Sequence, residues 1–139
     1  MELRADFITL AVPDLEEANR FYVDGLGWKP AFAVPGEVTF LRTGMGSMVA
    51  LFGRADLAKD IGIDDPPAFD VGHNCATEAE VDVVVAAMRD AGAVVLKEPQ
   101  RAFWGGYHGY LRTPDGTVWE VAYNPNWSVE TGDFRPGTT

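Results

Sequence analysis

Four residues in the second half of this 139-residue chain carry side chains suited to acid–base or ligand chemistry: His73, His108, Tyr110 and Glu120. Glu120 lies in "GTVWEVAY", between Trp119 and Val121, where nearly every neighbour suits a buried site. Burying an ionised carboxylate without a partner is costly, so Glu120 implies a ligand, a metal or a second titratable group. Imidazole is a natural counterpart, because it titrates near neutrality and serves as a metal ligand or a general base. His108 and Tyr110 are two apart, so on a strand they share one face. Cys75 follows His73 by two and shares its face; as a nucleophile it would need a basic neighbour, and space-filling is the plainer role. "FWGGYHGY", residues 103–110, is glycine-rich but lacks the Lys-Ser/Thr of a phosphate loop. Its Phe103, Trp104 and Tyr107 are aromatic surfaces on which a ligand can stack.

These residues need elements to position them, and the chain builds the elements twice. "LRTGMGSMVALF" (41–52) lines up with "LRTPDGTVWEVA" (111–122), each a Leu-Arg-Thr, a Gly-containing turn and an apolar strand. "FITLAV" precedes a helix opening at Asp14 with Glu17 three residues on. "VGHNCA" precedes one opening at Thr77 with Glu80 three residues on. Gly27 and Gly92 end these helices. Strands near 29–33, 37–43 and 47–53 complete the first half, and strands near 93–97, 107–113 and 117–123 the second. The expected fold class is therefore α+β, two βαβββ modules whose curved mixed sheets surround a cavity. The expected organisation is module one at 1–53, a linker at 54–68 with one short helical turn, module two at 69–123 and a surface-wrapping tail at 124–139.

Alternation then sorts the faces. Ile8, Leu10 and Val12 suit the helix side, leaving Phe7, Thr9 and Ala11 for the cavity; Trp119, Val121 and Tyr123 suit the helix side, leaving Val118, Glu120 and Ala122. The repeat matches Ala50 to Glu120 and, roughly, Phe7 to His73. Phe7, Ala50, His73 and Glu120 are thus expected to point into the cavity together. Phe40 and Phe52 add apolar lining.

Composition limits the function. The formal charge is −10 with 47% hydrophobic residues and one cysteine. An acidic chain without a Lys/Arg cluster argues against nucleic acid. No run reaches membrane-spanning length and "MELRADF" is not a signal peptide, so a cytoplasmic protein is expected.

The stretches "FITLAVPDLEEANRFYVDGLGW", "GHNCATEAEVDVVVAAMRDAGAVV" and "TPDGTVWE" resemble the vicinal oxygen chelate superfamily of glyoxalases, bleomycin-resistance proteins and extradiol dioxygenases. The resemblance covers nearly the whole chain and implies a homodimer. In metal-dependent members the ligands come from the four positions derived above. His73 and Glu120 match usual ligands, Phe7 stands where a His commonly stands, and Ala50 where glyoxalase I has a ligand. Tyr110 matches an active-site tyrosine of extradiol dioxygenases. Two readings follow. The first is a protein similar to bleomycin-resistance proteins that binds a small, partly aromatic or apolar molecule without a complete metal site. Its contacts are Phe7, Ala50, Phe52, Trp104 and Tyr107. The second is a metal-dependent lyase or dioxygenase, with a divalent ion on His73 and Glu120 acting as Lewis acid and Tyr110, His108 or Glu120 moving the proton.

Overall fold

The structure, a computed structural model, describes residues 2, 4–43 and 47–137. Strand β1 (Phe7–Val12) leads into helix α1 (Leu15–Asn19), where the Asp14 carboxylate accepts the Glu17 amide at 3.1 Å. The helix continues as a wider π-helical stretch, Arg20–Gly25, and the chain reverses at Gly27 with φ 77°. Strands β2 (Pro30–Val34), β3 (Val38–Arg42) and β4 (Met48–Gly53) follow, then helix α2 (Arg54–Ile61). The order then repeats. Strand β5 (Phe69–Cys75) is followed by helix α3 (Glu78–Asp90), capped by Thr77, and by β6 (Val94–Arg101), β7 (Tyr107–Arg112) and β8 (Val118–Tyr123). A two-stranded hairpin, β9 (Trp127–Ser128) and β10 (Asp133–Phe134), ends the described chain.

The eight long strands form one sheet in the order β2-β3-β4-β1-β5-β8-β7-β6. β1 pairs with β4 and β5 with β8 in parallel, while β1 and β5 meet antiparallel at the centre. The expected α+β class and mixed pairing are present. The two expected sheets are one, joined within a single chain at the β1–β5 seam.

One face of the sheet is packed by α3, which buries Val81, Val84 and Val85 against Leu111, Val121 and Cys75. The other face is covered by pieces that the sequence reading left loose. Residues 54–68 were expected to hold one helical turn at most, yet α2 spans eight residues, about 12 Å long. Its Leu57 and Ile61, four apart, pack on Tyr110 and Val118, and Gly62 ends it with φ 87°. The tail does more than wrap the surface: Trp127 and Phe134 are buried against Phe7 and Met48.

At the central seam Phe7 pairs with Gly72, and a Cβ on Gly72 would come 2.0 Å from the Phe7 ring. The ring is held in turn by Phe40, whose centroid is 6.0 Å away edge-on, and by Met48. Gly72→Ala is therefore expected to cost about 1–3 kcal/mol through overpacking, read from urea unfolding. Pairing it with Phe7→Ala should give less than the sum of the two single losses, because the second change removes the clash.

Candidate functional site

Strand β8 turns Val118, Glu120 and Ala122 toward one face and Val121 toward α3, so Glu120 looks away from the helix that packs the sheet. A cavity of about 400 Å³ opens on that face. Phe7, Ala50 and Phe52 line it from the first half, and Trp104, Tyr110 and Glu120 from the second. The first-half wall is rich in phenylalanine: Phe32 stacks on Phe134 at 4.9 Å, and Phe40 meets Phe134 edge-on at 5.0 Å.

Asp70, Asn74, Tyr110 and Glu120 bring polar groups from the second half, joined by Asp60 from α2; Thr9 and Glu37 are the polar lining of the first half. Register places Tyr110 beside Glu120 and His108 beside Ala122. His108 Nδ1 lies 2.7 Å from Glu120 Oε2, with the Trp104 ring edge-on over the imidazole at 5.4 Å. His108 is thus on the expected face but sits behind Trp104, outside the cavity lining. Its Nε2 is buried without a hydrogen-bond partner among the described residues, and Asp60 Oδ1 stands 3.8 Å away. Asp60 comes from α2. It accepts the Tyr110 hydroxyl at 2.7 Å, and the Lys97 ammonium lies 3.3 Å from its other oxygen. Lys97 is flanked by register shifts in β6 on both sides, the kind of irregularity that re-aims a side chain. The Tyr110 phenol is pushed well above its ordinary value by burial and then by the charges of Glu120, Asp60 and Asp70. It is a hydrogen-bond donor here, not a base.

Asp70, on β5, is the group with least support. It is fully buried, it lines the cavity, and neither carboxylate oxygen has a hydrogen-bond partner among the described residues. Burial, reinforced by Glu120 and Asp60, pushes its pKa well above the ordinary 3.8; the nearby Thr9 hydroxyl opposes this.

Three sequence expectations are corrected. His73 faces away from the cavity, its Nδ1 3.1 Å from the Arg4 carbonyl oxygen, because β5 presents Asp70 and Asn74 to the cavity instead. The error is one of register. Phe7 lies seven residues before its cap Asp14 (14 − 7), and Asp70 lies seven before Thr77 (77 − 70). Strand pairing agrees: Ala50 partners Thr9, two beyond Phe7, and Glu120 partners Gly72, two beyond Asp70. Phe7 therefore corresponds to Asp70, not His73. Cys75 follows His73 to the α3 side, where burial, and then Glu80, pushes its thiol up to about 12, far from a reactive thiolate. Tyr107 likewise packs toward α3, its hydroxyl donating to Asp82 at 2.7 Å. Sequence reasoning missed Asp60, Lys97, Asp70, Trp127 and Phe134. The count back from the cap would have found Asp70.

The model of the Glyoxalase/Bleomycin resistance protein/Dioxygenase superfamily matches residues 4–121. The chain belongs to this superfamily. A glyoxalase-related enzyme from Fulvimarina pelagi is 30% identical, with 99% of this chain and 100% of that one covered and a TM-score of 0.48. A Legionella pneumophila structure described as an NAD-dependent benzaldehyde dehydrogenase is 14% identical over 84% of this chain and 96% of its own, with a TM-score of 0.71. The Mn(II)-bound glyoxalase from Novosphingobium aromaticivorans is 21% identical, with 86% of this chain and 38% of that one covered and a TM-score of 0.56. Those last two likenesses concern the fold alone. No curated protein matches the sequence significantly.

Superfamily members often bind a divalent metal, so the residues here can be tested for one. At the repeat-related positions stand Phe7, Ala50, Asp70 and Glu120, and the Phe7 ring fills the space over Gly72. Two carboxylates beside a phenyl ring fall short of the three or more protein ligands that such a site usually needs. Asp60, His108 and Glu120 also bring ligand atoms within 4.8 Å of one another. Glu120 and Asp60 there already answer His108, Tyr110 and Lys97, and the Lys97 ammonium repels a second cation. Neither set fits a tightly held ion.

Asp70 has a consequence for stability. With its pKa raised in the fold, unfolding releases a proton above pH 3.8, so this residue's contribution is full below that value and is lost as pH rises toward the folded pKa. Asp70→Asn keeps the shape without the proton. Its melting temperature should match the parent near pH 4 and exceed it increasingly toward pH 7, at up to about 1.4 kcal/mol per pH unit. Thermal melts across that range check the sign.

Proposed function

We propose that this protein binds a small, partly aromatic or apolar molecule in the cavity beside the sheet, without a complete metal site, as bleomycin-resistance-like members of its superfamily do. One observation carries the reading: the 400 Å³ cavity has a wall rich in phenylalanine and tryptophan, with Asp60, Asp70 and Glu120 gathered together and a fourth carboxylate, Glu37, exposed at the turn between β2 and β3. Small-molecule sites have this character, an apolar enclosure with few polar points that orient the ligand. Phe7, Ala50, Phe52 and Trp104 are its contacts, with Tyr110 and Glu120 at the polar end. The reading includes a cytoplasmic homodimer; the dimer draws on Phe21, Leu26 and Trp28, exposed apolar side chains of the π-helical stretch and the turn after it.

A second reading, a metal-dependent lyase or dioxygenase, draws on the contact of Asp60, His108 and Glu120. In it the family's metal would polarise a substrate with vicinal oxygens. Calorimetric titration with Mn(II) separates the two: less than 0.1 equivalent bound per chain at micromolar metal supports the binder, and one equivalent supports the enzyme.

The neutral fluorophore N-phenyl-1-naphthylamine tests the binder directly. It should bind one per chain with micromolar affinity and quench the emission of Trp104 and Trp127. Ala50→Leu, which puts three more carbons into the cavity, should weaken it at least tenfold while the protein keeps its far-ultraviolet dichroism. A parent protein that does not take up the probe would end this reading.

A further inference from the structure

The charged side chains lining the cavity are Glu37, Asp60, Asp70 and Glu120; no lysine or arginine lines it among the described residues. Three of these acids have settled relations with solvent or protein. Glu37 is exposed at the turn between β2 and β3. Asp60 is answered by Lys97 and Tyr110, and Glu120 Oε2 by His108. Asp70 has only the Thr9 hydroxyl nearby. Both its oxygens are buried and turned to the cavity without a close hydrogen-bond partner among the described residues, and Glu120 is near enough for its charge to oppose ionisation of Asp70.

A buried acceptor without a donor is costly, and natural proteins keep few of them. A ligand that supplies the donor recovers that cost, and one that also carries positive charge relieves the repulsion between Asp70 and Glu120. An anion would meet four lining acids, and the nearby Lys97 ammonium is already engaged by Asp60. A neutral hydroxyl would satisfy one oxygen by an ordinary hydrogen bond, weaker than the charge-assisted bond an ammonium makes. A bare metal ion would leave the aromatic wall unfilled.

From this we infer that the ligand is a protonated primary or secondary amine with an aromatic or apolar body. Its N–H groups bond the Asp70 and Glu120 carboxylates, and its body lies among Phe7, Phe32 and Phe40. The ammonium needs N–H bonds because the open Asp70 oxygens lack donors, which sets it apart from a quaternary cation. Neighbouring ring faces add cation–π attraction. A volume of 400 Å³ admits a molecule of one or two rings and turns away large polycations. This assignment rests on the small-molecule reading above and narrows it to a ligand class.

Three probes with one body and different heads test it: 1-naphthylmethylamine, 1-naphthylmethanol and 1-naphthylacetate, titrated by calorimetry at pH 7. The amine is expected to bind at least tenfold tighter than the alcohol, and the carboxylate at least tenfold weaker than the alcohol. In Asp70→Asn and in Glu120→Gln the amine-to-alcohol ratio should fall to about one, while the melting temperature of Asp70→Asn at pH 7 stays at or above that of the parent. A fall in ratio with a stable fold cannot be ascribed to unfolding. Equal affinity for amine and alcohol in the parent overturns the amine assignment, as does a ratio that survives both substitutions. Uptake of N-phenyl-1-naphthylamine alongside either result leaves the small-molecule reading standing. Failure of every neutral and cationic probe overturns both.

Discussion

The rest of the molecule depends on the antiparallel seam between β1 and β5. Each half supplies a four-stranded ribbon, and the seam fuses them into a sheet long enough to enclose a small molecule. The seam closes because Gly72 has no side chain where the Phe7 ring must lie. A larger residue there would push the halves apart or expel the ring, and with it the aromatic wall that Phe40, Met48 and Phe134 build on it. The same ring occupies one of the four repeat-related positions, so the packing that joins the halves also uses up space in which a metal ligand would stand.

Given that seam, the two ends of the cavity differ because the repeat has diverged in side chains and not in backbone. Phe7 and Ala50 in the first half stand where Asp70 and Glu120 stand in the second. Two carboxylates on neighbouring strands of one face repel, and the protein answers only one of them from within, through His108. α2 brings a third acid, Asp60, but balances it with Lys97 and Tyr110. Asp70 is left as a local conflict in the cavity wall, and such conflicts concentrate where a protein meets its ligand.

Much of this was legible in the residues. Alternation put Glu120, Tyr110, Phe7 and Ala50 on the right face, and the capping boxes at Asp14 and Thr77 marked both helix starts, because these signals are local. His73 failed because its rough match to Phe7 is three residues out when counted back from the helix caps, and an odd shift turns a strand residue to the opposite face. α2 was harder to see, because its stripe is two residues wide and its charged surface resembles a loop. Lys97, Trp127 and Phe134 leave no trace in local pattern at all. A bulged strand brings Lys97 to Asp60 and a terminal hairpin brings Trp127 and Phe134 to the cavity, at positions decided by tertiary packing.

The hairpin of β9 and β10 lies outside the stretch that matches the superfamily, yet Trp127 and Phe134 form part of the cavity wall. The strand pairing can therefore stay as it is while the chamber beside it changes size and shape through substitutions in this hairpin, provided Phe7 and Met48 keep a buried partner. Within such a lineage, kinship in the framework and kinship in what is recognised need not travel together. Two proteins with superposable strands would part company at their final turn.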